Sequence, residues 1–179
     1  MSENVTRLSQ EELTSLVQPV CDAVVSISDA MMVFGNFSRE QVAIDRDTQM
    51  KITADAKECV NPDNRKQFAI RTHLTLTLVN AKKESIVEVE ASYLIRYETR
   101  DDFPVSDEQA DSYAQYNGVF NAWSYWREYV QASCARMGIP ALPVPVYRQG
   151  MNSIVANLVT EGQPEGGDQP LMTDSQTQS

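Results

Sequence analysis

The chain has 179 residues, 25 acidic side chains against 15 basic ones, and a formal net charge of −10. That length suits one domain able to bury a core. The negative balance sets DNA and RNA aside as main partners, because phosphate recognition needs a basic surface, and favours basic or weakly charged partners.

The first segment, Ser9 to Gln18, reads as a short helix. Ser9 serves as N-cap, Glu12 completes a capping box, Leu13, Leu16 and Val17 form a stripe, and Pro19 ends it. Next, "VCDAVVSISDAMMVFGNFS" reads as an extended strand whose alternation breaks near Asp29. Met31 and Met32 read first as core and second as adaptable surface. "REQVAIDRDTQ" is a polar connection, "MKITADAKECV" a strand, and Asn61, Pro62, Asp63 and Asn64 mark a turn.

The clearest signal follows. Phe68, Ile70, Leu74, Leu76 and Leu78 alternate with Arg71, His73, Thr75 and Thr77. After "NAKKE", Val87, Val89, Ala91, Tyr93, Ile95 and Tyr97 alternate with Glu88, Glu90, Ser92, Arg96 and Glu98. Period-two alternation on both sides of a polar turn predicts a long antiparallel hairpin with one buried and one wet face.

Beyond the break at "RDDFPVSDEQ", Ser106 is an N-cap, with Asp107 and Glu108 at the positive end of the helix dipole. The helix runs to Met137 with a kink expected at Asn117-Gly118; Gly138 supplies a left-handed cap and Pro140 prevents continuation. "GMNSIVANLV" reads as a short helix. Past Thr160, "EGQPEGGDQPLMTDSQTQS" carries four acids and no Lys or Arg, a composition of disorder. The layout is an α+β domain over 1–159, an antiparallel four-stranded sheet followed by C-terminal helices, with a short N-terminal helix and a disordered acidic tail over 160–179.

Cys21, Cys59 and Cys134 are widely spaced, with no Cys-x-x-Cys and a single histidine, His73. No metal and no cofactor is expected, and the thiols read as idle and reduced. No apolar run approaches the ~18 residues that span a bilayer. "MSENVTRLSQEELTSLV" lacks the basic start and apolar core of a signal peptide, so the expectation is a cytoplasmic protein without membrane insertion.

The segment "FNAWSYWREYVQASCARMGIPALPVPVY" concentrates aromatic residues on one helix and then closes with Pro-x-x-Pro-x-Pro. Phe120, Trp123, Trp126 or Arg127, Val130, Cys134 and Met137 form one stripe; Ala122, Tyr125, Tyr129 and Ala132 form a second, displaced around the cylinder. Two apolar faces imply two partners, the chain's own sheet and something else, and a homo-oligomer is the economical answer. The expected oligomer contacts are Trp123, Trp126, Val130 and Cys134.

Residues 116–147, "YNGVFNAWSYWREYVQASCARMGIPALPVPVY", resemble the helix and following segment of the export chaperone SecB and, more closely, the SecB-like proteins of its superfamily. The carriers are the aromatic before Arg127-Glu128, the approach at Asn117 and Asn121, the Gly-terminated helix and the proline strip "IPALPVPVY". The likeness is sharp over about 30 residues and topological over residues 20–150. It departs at Ser124, where the family often has proline, and in the longer segment before Val20.

The resemblance implies a chaperone that binds unfolded, export-bound chains without ATP and assembles as a dimer of dimers. Pro140, Pro143 and Pro145 keep the strip extended. The client groove is then expected to comprise Phe37, Val42, Phe120, Tyr125, Tyr129, Leu142, Val144, Val146 and Tyr147, with weak contacts multiplied along its length. The family also meets the export motor, SecA, through acids on the exposed sheet face; Glu88 and Glu90 are the candidates here, beside the plain reading of a solvated strand. The superfamily divides into general export chaperones and dedicated ones that protect an antitoxin of a toxin-antitoxin pair, and the departures lean toward the latter.

From a different class, a small-molecule binder would use the cavity between sheet and helix. An enzyme would need a nucleophile-base pair or clustered ligands. His73, among threonines on a strand, supplies neither, and no phosphate-cradling loop occurs; no enzymatic activity is expected.

Overall fold

The computed structural model describes residues 10–41, 43–45, 47–60, 66–100, 106–147 and 153–157. The elements run α1 (Gln10–Ala23), β1 (Val24–Arg39), β2 (Gln49–Val60), β3 (Gln67–Val79), β4 (Ser85–Thr99), α2 (Asp107–Tyr113), a π-helical turn (Ala114–Gly118), α3 (Val119–Met137) and β5 (Ser153–Asn157). The strands form one antiparallel sheet in the order β1-β4-β3-β2-β5.

The alternation in the hairpin sets the register. Phe68 lies opposite Tyr97, Ile70 opposite Ile95, Leu74 opposite Ala91, and Leu76 opposite Val89. All these side chains are buried, because period-two patterning places them on a single face. β2 extends that face with Met50 opposite Leu78 and Ile52 opposite Leu76. The hairpin turn is closed by the Asn80 side-chain oxygen, which accepts from the backbone N–H groups of Lys82 and Glu84 at 2.9 and 3.0 Å. The predicted turn at 61–64 lies outside the described residues, as does the tail beyond Thr160.

Two expectations are corrected. α1 does not stop at Pro19 but continues to Ala23. Proline removes one helical hydrogen bond, yet Val20 and Ala23 are buried and the Ala23 carbonyl accepts from Arg100 N–H at 3.0 Å; tertiary packing holds the last turn. The segment expected as a late helix contributes β5, with Ile154 opposite Ile52, because the edge of β2 offers unpaired backbone groups to a β-branched stretch. The sheet accordingly has five strands, four long and one short.

The long helix forms as expected. Ser106 accepts from Gln109 N–H at 3.2 Å while the Gln109 side chain accepts from Ser106 N–H at 3.2 Å, a reciprocal capping box. The predicted kink is the π-helical turn, where Gly118 comes so close to β3 that an added Cβ would lie 2.6 Å from Ile70 Cγ2. Gly138 ends α3 at φ 65°, and Arg39 Nη1 donates to the Met137 and Gly138 carbonyls at 2.6 and 3.4 Å. A cation at the negative end of the helix thus ties α3 to the end of β1.

Beneath the helical layer, Phe68 stacks on Tyr97 with centroids 5.0 Å apart, and Tyr113 meets both edge-on. Asn121 Nδ2 donates to the Tyr97 hydroxyl at 2.9 Å. Among the described residues no helix is long and apolar enough to cross a membrane.

Candidate functional site

α3 lies on the covered face of the sheet, and the segment after Gly138 folds back along it. Proline leaves this segment without a sheet partner, so α3 side chains satisfy its carbonyls. Gln131 Nε2 donates to Leu142 O at 2.8 Å and Trp123 Nε1 to Pro145 O at 2.9 Å. Between this strip, α3 and β1 opens a cavity of about 380 Å³. Ile27 and Ala30 of β1 form one wall, with Ile95 of β4 beside them; Phe120, Trp123 and Tyr125 of α3 form another; Val146 and Tyr147 close the third side. The α3 wall also carries a polar line at a spacing of three: Asn121, Ser124 and Arg127. Its apolar rim is open to solvent, with Ile27 at 45%, Phe120 at 54%, Tyr125 at 48% and Val146 at 73% exposure.

This placement sorts the expected groove residues. Phe120, Tyr125, Val146 and Tyr147 line the cavity together, Tyr147 as an inner wall packed on Trp123 at 5.0 Å. Leu142 and Val144 are corrected to core, each 5% exposed; alternate side chains of the strip turn inward because α3 holds it by its carbonyls. Tyr129 is half-buried, its hydroxyl lying over Gly35 of β1. Phe37 stands exposed farther along β1 and does not line the cavity. Val42 lies outside the described residues.

The expected oligomer contacts are also corrected. Trp123, Trp126, Val130 and Cys134 are all buried in the chain's own core, and burial pushes the Cys134 thiol pKa up. The stronger stripe was taken up by the sheet, as the hydrophobic effect requires of the larger apolar area. The surface left without a covering element is β1, the terminal strand of the sheet. Val25, Ile27, Met31, Met32, Val33, Phe34 and Phe37 are exposed along it. Register shifts between Val24 and Ser26, Ile27 and Asp29, and Met32 and Phe34 re-aim its side chains. The irregularity read at Asp29 is one of these. The methionines are surface rather than core.

On the open sheet face, Glu90 Oε1 lies 3.0 Å from His73 Nε2, and His73 Nδ1 lies 2.9 Å from Ser92 Oγ. Glu88 sits between Ser38 and Thr77 on neighbouring strands. The Ser92-His73-Glu90 row has a hydrogen-bonded order, but the cavity is on the other face and includes none of the three. Among the described residues no cluster of His, Cys, Asp and Glu could hold a metal ion.

Reading by sequence missed Ile27, Ala30 and Arg127 as groove residues. The non-alternating apolar run over residues 30–34 of β1 was the available signal, because a strand with one buried and one wet face would alternate.

The chain matches no protein-family model and no curated protein. Among solved structures it is similar to the Rv1957 SecB-like chaperone of Mycobacterium tuberculosis, in complex with a ChAD peptide from the Rv1956 HigA1 antitoxin. The TM-score is 0.68 at 15% sequence identity, covering 78% of this chain and 100% of that one. At such low identity the likeness speaks for architecture: the chain has the SecB-like α+β fold.

Proposed function

We propose that this protein is an ATP-independent chaperone that holds unfolded or aggregation-prone polypeptides in the groove between β1, α3 and the proline strip. The observation that carries the reading is the open apolar rim of Ile27, Phe120, Tyr125 and Val146 around one cavity. Soluble chains rarely leave such a patch without a partner. A cavity of about 380 Å³ takes side chains of an extended segment, and its aromatic walls offer apolar contact without a fixed partner. The similar structure holds a peptide of an antitoxin, which supports a polypeptide client; in this reading the client is an export-bound chain or a dedicated antitoxin. The holding function needs neither catalysis nor a cofactor, and belongs in the cytoplasm.

Self-association is part of the proposal. A 16-residue edge strand with apolar side chains on both faces is a template for another chain, and a second copy is the occupant always present. Assembly as a tetramer, and docking of the export motor SecA on the face carrying Glu88 and Glu90, complete the reading.

Light scattering after size exclusion, with and without a permanently unfolded polypeptide, tests it. The expected particle is close to four times 20.1 kDa and gains mass with the unfolded chain. A monomer that ignores the unfolded chain would refute the reading.

A further inference from the structure

The groove has apolar walls but carries one full charge, the guanidinium of Arg127. Arg127 is exposed, and among the described residues it has no ion-pair or hydrogen-bond partner. The arginines of β1 and β4 are engaged elsewhere. Arg39 caps the α3 carbonyls, and Arg96 Nη1 lies 2.6 Å from Asp29 Oδ2. The neighbouring acid, Glu128, does not line the cavity, and its charge acts on Tyr93 of β4. Arg127 is therefore a free cation aimed along an apolar trough, one helical turn past Ser124 and two past Asn121.

We propose that Arg127 makes the groove selective for client segments that carry an acidic side chain beside an apolar run. The inference rests on the chaperone reading above. The apolar residues of such a segment lie against Ile27, Phe120 and Val146. Its carboxylate meets the guanidinium, which presents a planar fork matched to two carboxylate oxygens. Pairing beside apolar walls is less screened than pairing in open water. The sign of the effect is diagnostic. A chain of net charge −10 attracts cationic peptides by its overall field, so a preference for an acid at one peptide position has to come from a local cation.

The experiment uses fluorescein-labelled synthetic nonapeptides with a constant apolar sequence, in which aspartate, asparagine or lysine is moved through each position. Binding to the full-length protein is read by anisotropy. The expected result is a narrow window of positions where the aspartate peptide binds about fivefold tighter than the asparagine peptide, with the ratio shrinking as salt rises. In Arg127→Gln the ratio falls to unity, and in Arg127→Glu lysine becomes the preferred residue in the same window. Arg136→Gln, on the same helix but away from the groove, keeps the aspartate preference. An aspartate peptide that is never tighter than its asparagine counterpart overturns the inference while leaving the groove standing, and so does a preference that survives Arg127→Gln. If no peptide of the set binds, the chaperone reading falls and the inference falls with it.

Discussion

Gly118 has helical dihedrals, φ −59° and ψ −50°, so its backbone does not call for glycine. Its reason is space. A Cβ placed there would lie 2.6 Å from Ile70 Cγ2, 3.4 Å from Cδ1 and 3.6 Å from Cβ, and Ile70 is completely buried. Gly118→Ala gains about 1 kcal/mol of helix propensity. Against this stands overpacking by one methyl in a closed core, which costs ~1–3 kcal/mol. The clash is with a β-branch methyl of a side chain wedged between β3 and the helices, with no flexible end to swing away. The steric term wins, for a net loss of up to about 2 kcal/mol. The assay is urea unfolding followed by the fluorescence of Trp123 and Trp126, at one fixed protomer concentration because oligomerisation shifts apparent stability. The repair is specific. Ile70→Leu removes the offending branch methyl and should recover most of the loss in the double variant; Ile70→Val keeps that methyl and should not. A Gly118→Ala protein more stable than the parent, or equal rescue by valine and leucine, would refute the argument.

Gly138→Ala should cost about 1–2 kcal/mol through the left-handed backbone alone, and the same urea assay should show no rescue by Ile70→Leu. Ser106→Ala removes the capping box and should cost about 1 kcal/mol, measured as a shift in unfolding midpoint that Ser106→Asp largely avoids. Burial raises the Tyr93 and Tyr97 hydroxyls to about 12 from an ordinary 10. The folded state therefore keeps these protons where the unfolded state releases them. Their contribution is fully present below pH 10 and declines between pH 10 and 12, by up to about 1.4 kcal/mol per pH unit for each residue. Unfolding curves across that range test this, and a flat profile would contradict it. Replacing Phe120, Tyr125 and Val146 together by serine should weaken uptake of an unfolded polypeptide by about tenfold with an unchanged unfolding midpoint, because all three are exposed.

The sheet was legible because alternation is a geometric consequence of strands. A one-residue slip between β3 and β4 would turn one apolar set out of the core, and the register formed keeps both sets on one face. The caps at Ser106 and Gly138 were legible for a similar reason: each is a local chemical event needing no distant partner. The missed features were decided by partners remote in sequence. Pro19 is tolerated inside α1 because the Arg100 N–H secures the turn that follows. Ile154 and Val155 pair with β2 because that edge stood vacant. The two stripes of α3 were both visible, but which one meets the sheet depends on its placement over β1 and β4. That placement follows from the close approach at Gly118 and the Arg39 contact at its other end.

The aromatic residues of α3 divide by what holds them. Trp123 cannot serve solely as client surface, because its indole N–H is committed to Pro145 O and its ring to Tyr147 and Trp126. It fixes the proline strip, and through the strip it positions Val146 with most of its surface free. Removing Trp123 would collapse one wall of the groove and loosen the core at once, so a lost function in that variant would say nothing about client contact. Phe120 and Tyr125 have no such double duty: each is about half exposed, with its ring centroid 6.3 Å from that of Tyr147 and Tyr93 respectively. A helix that needed only to cover the sheet would not set two aromatics outward beside a free arginine. That excess over the requirements of folding, confined to one side of one cavity, is what the proposed client surface rests on.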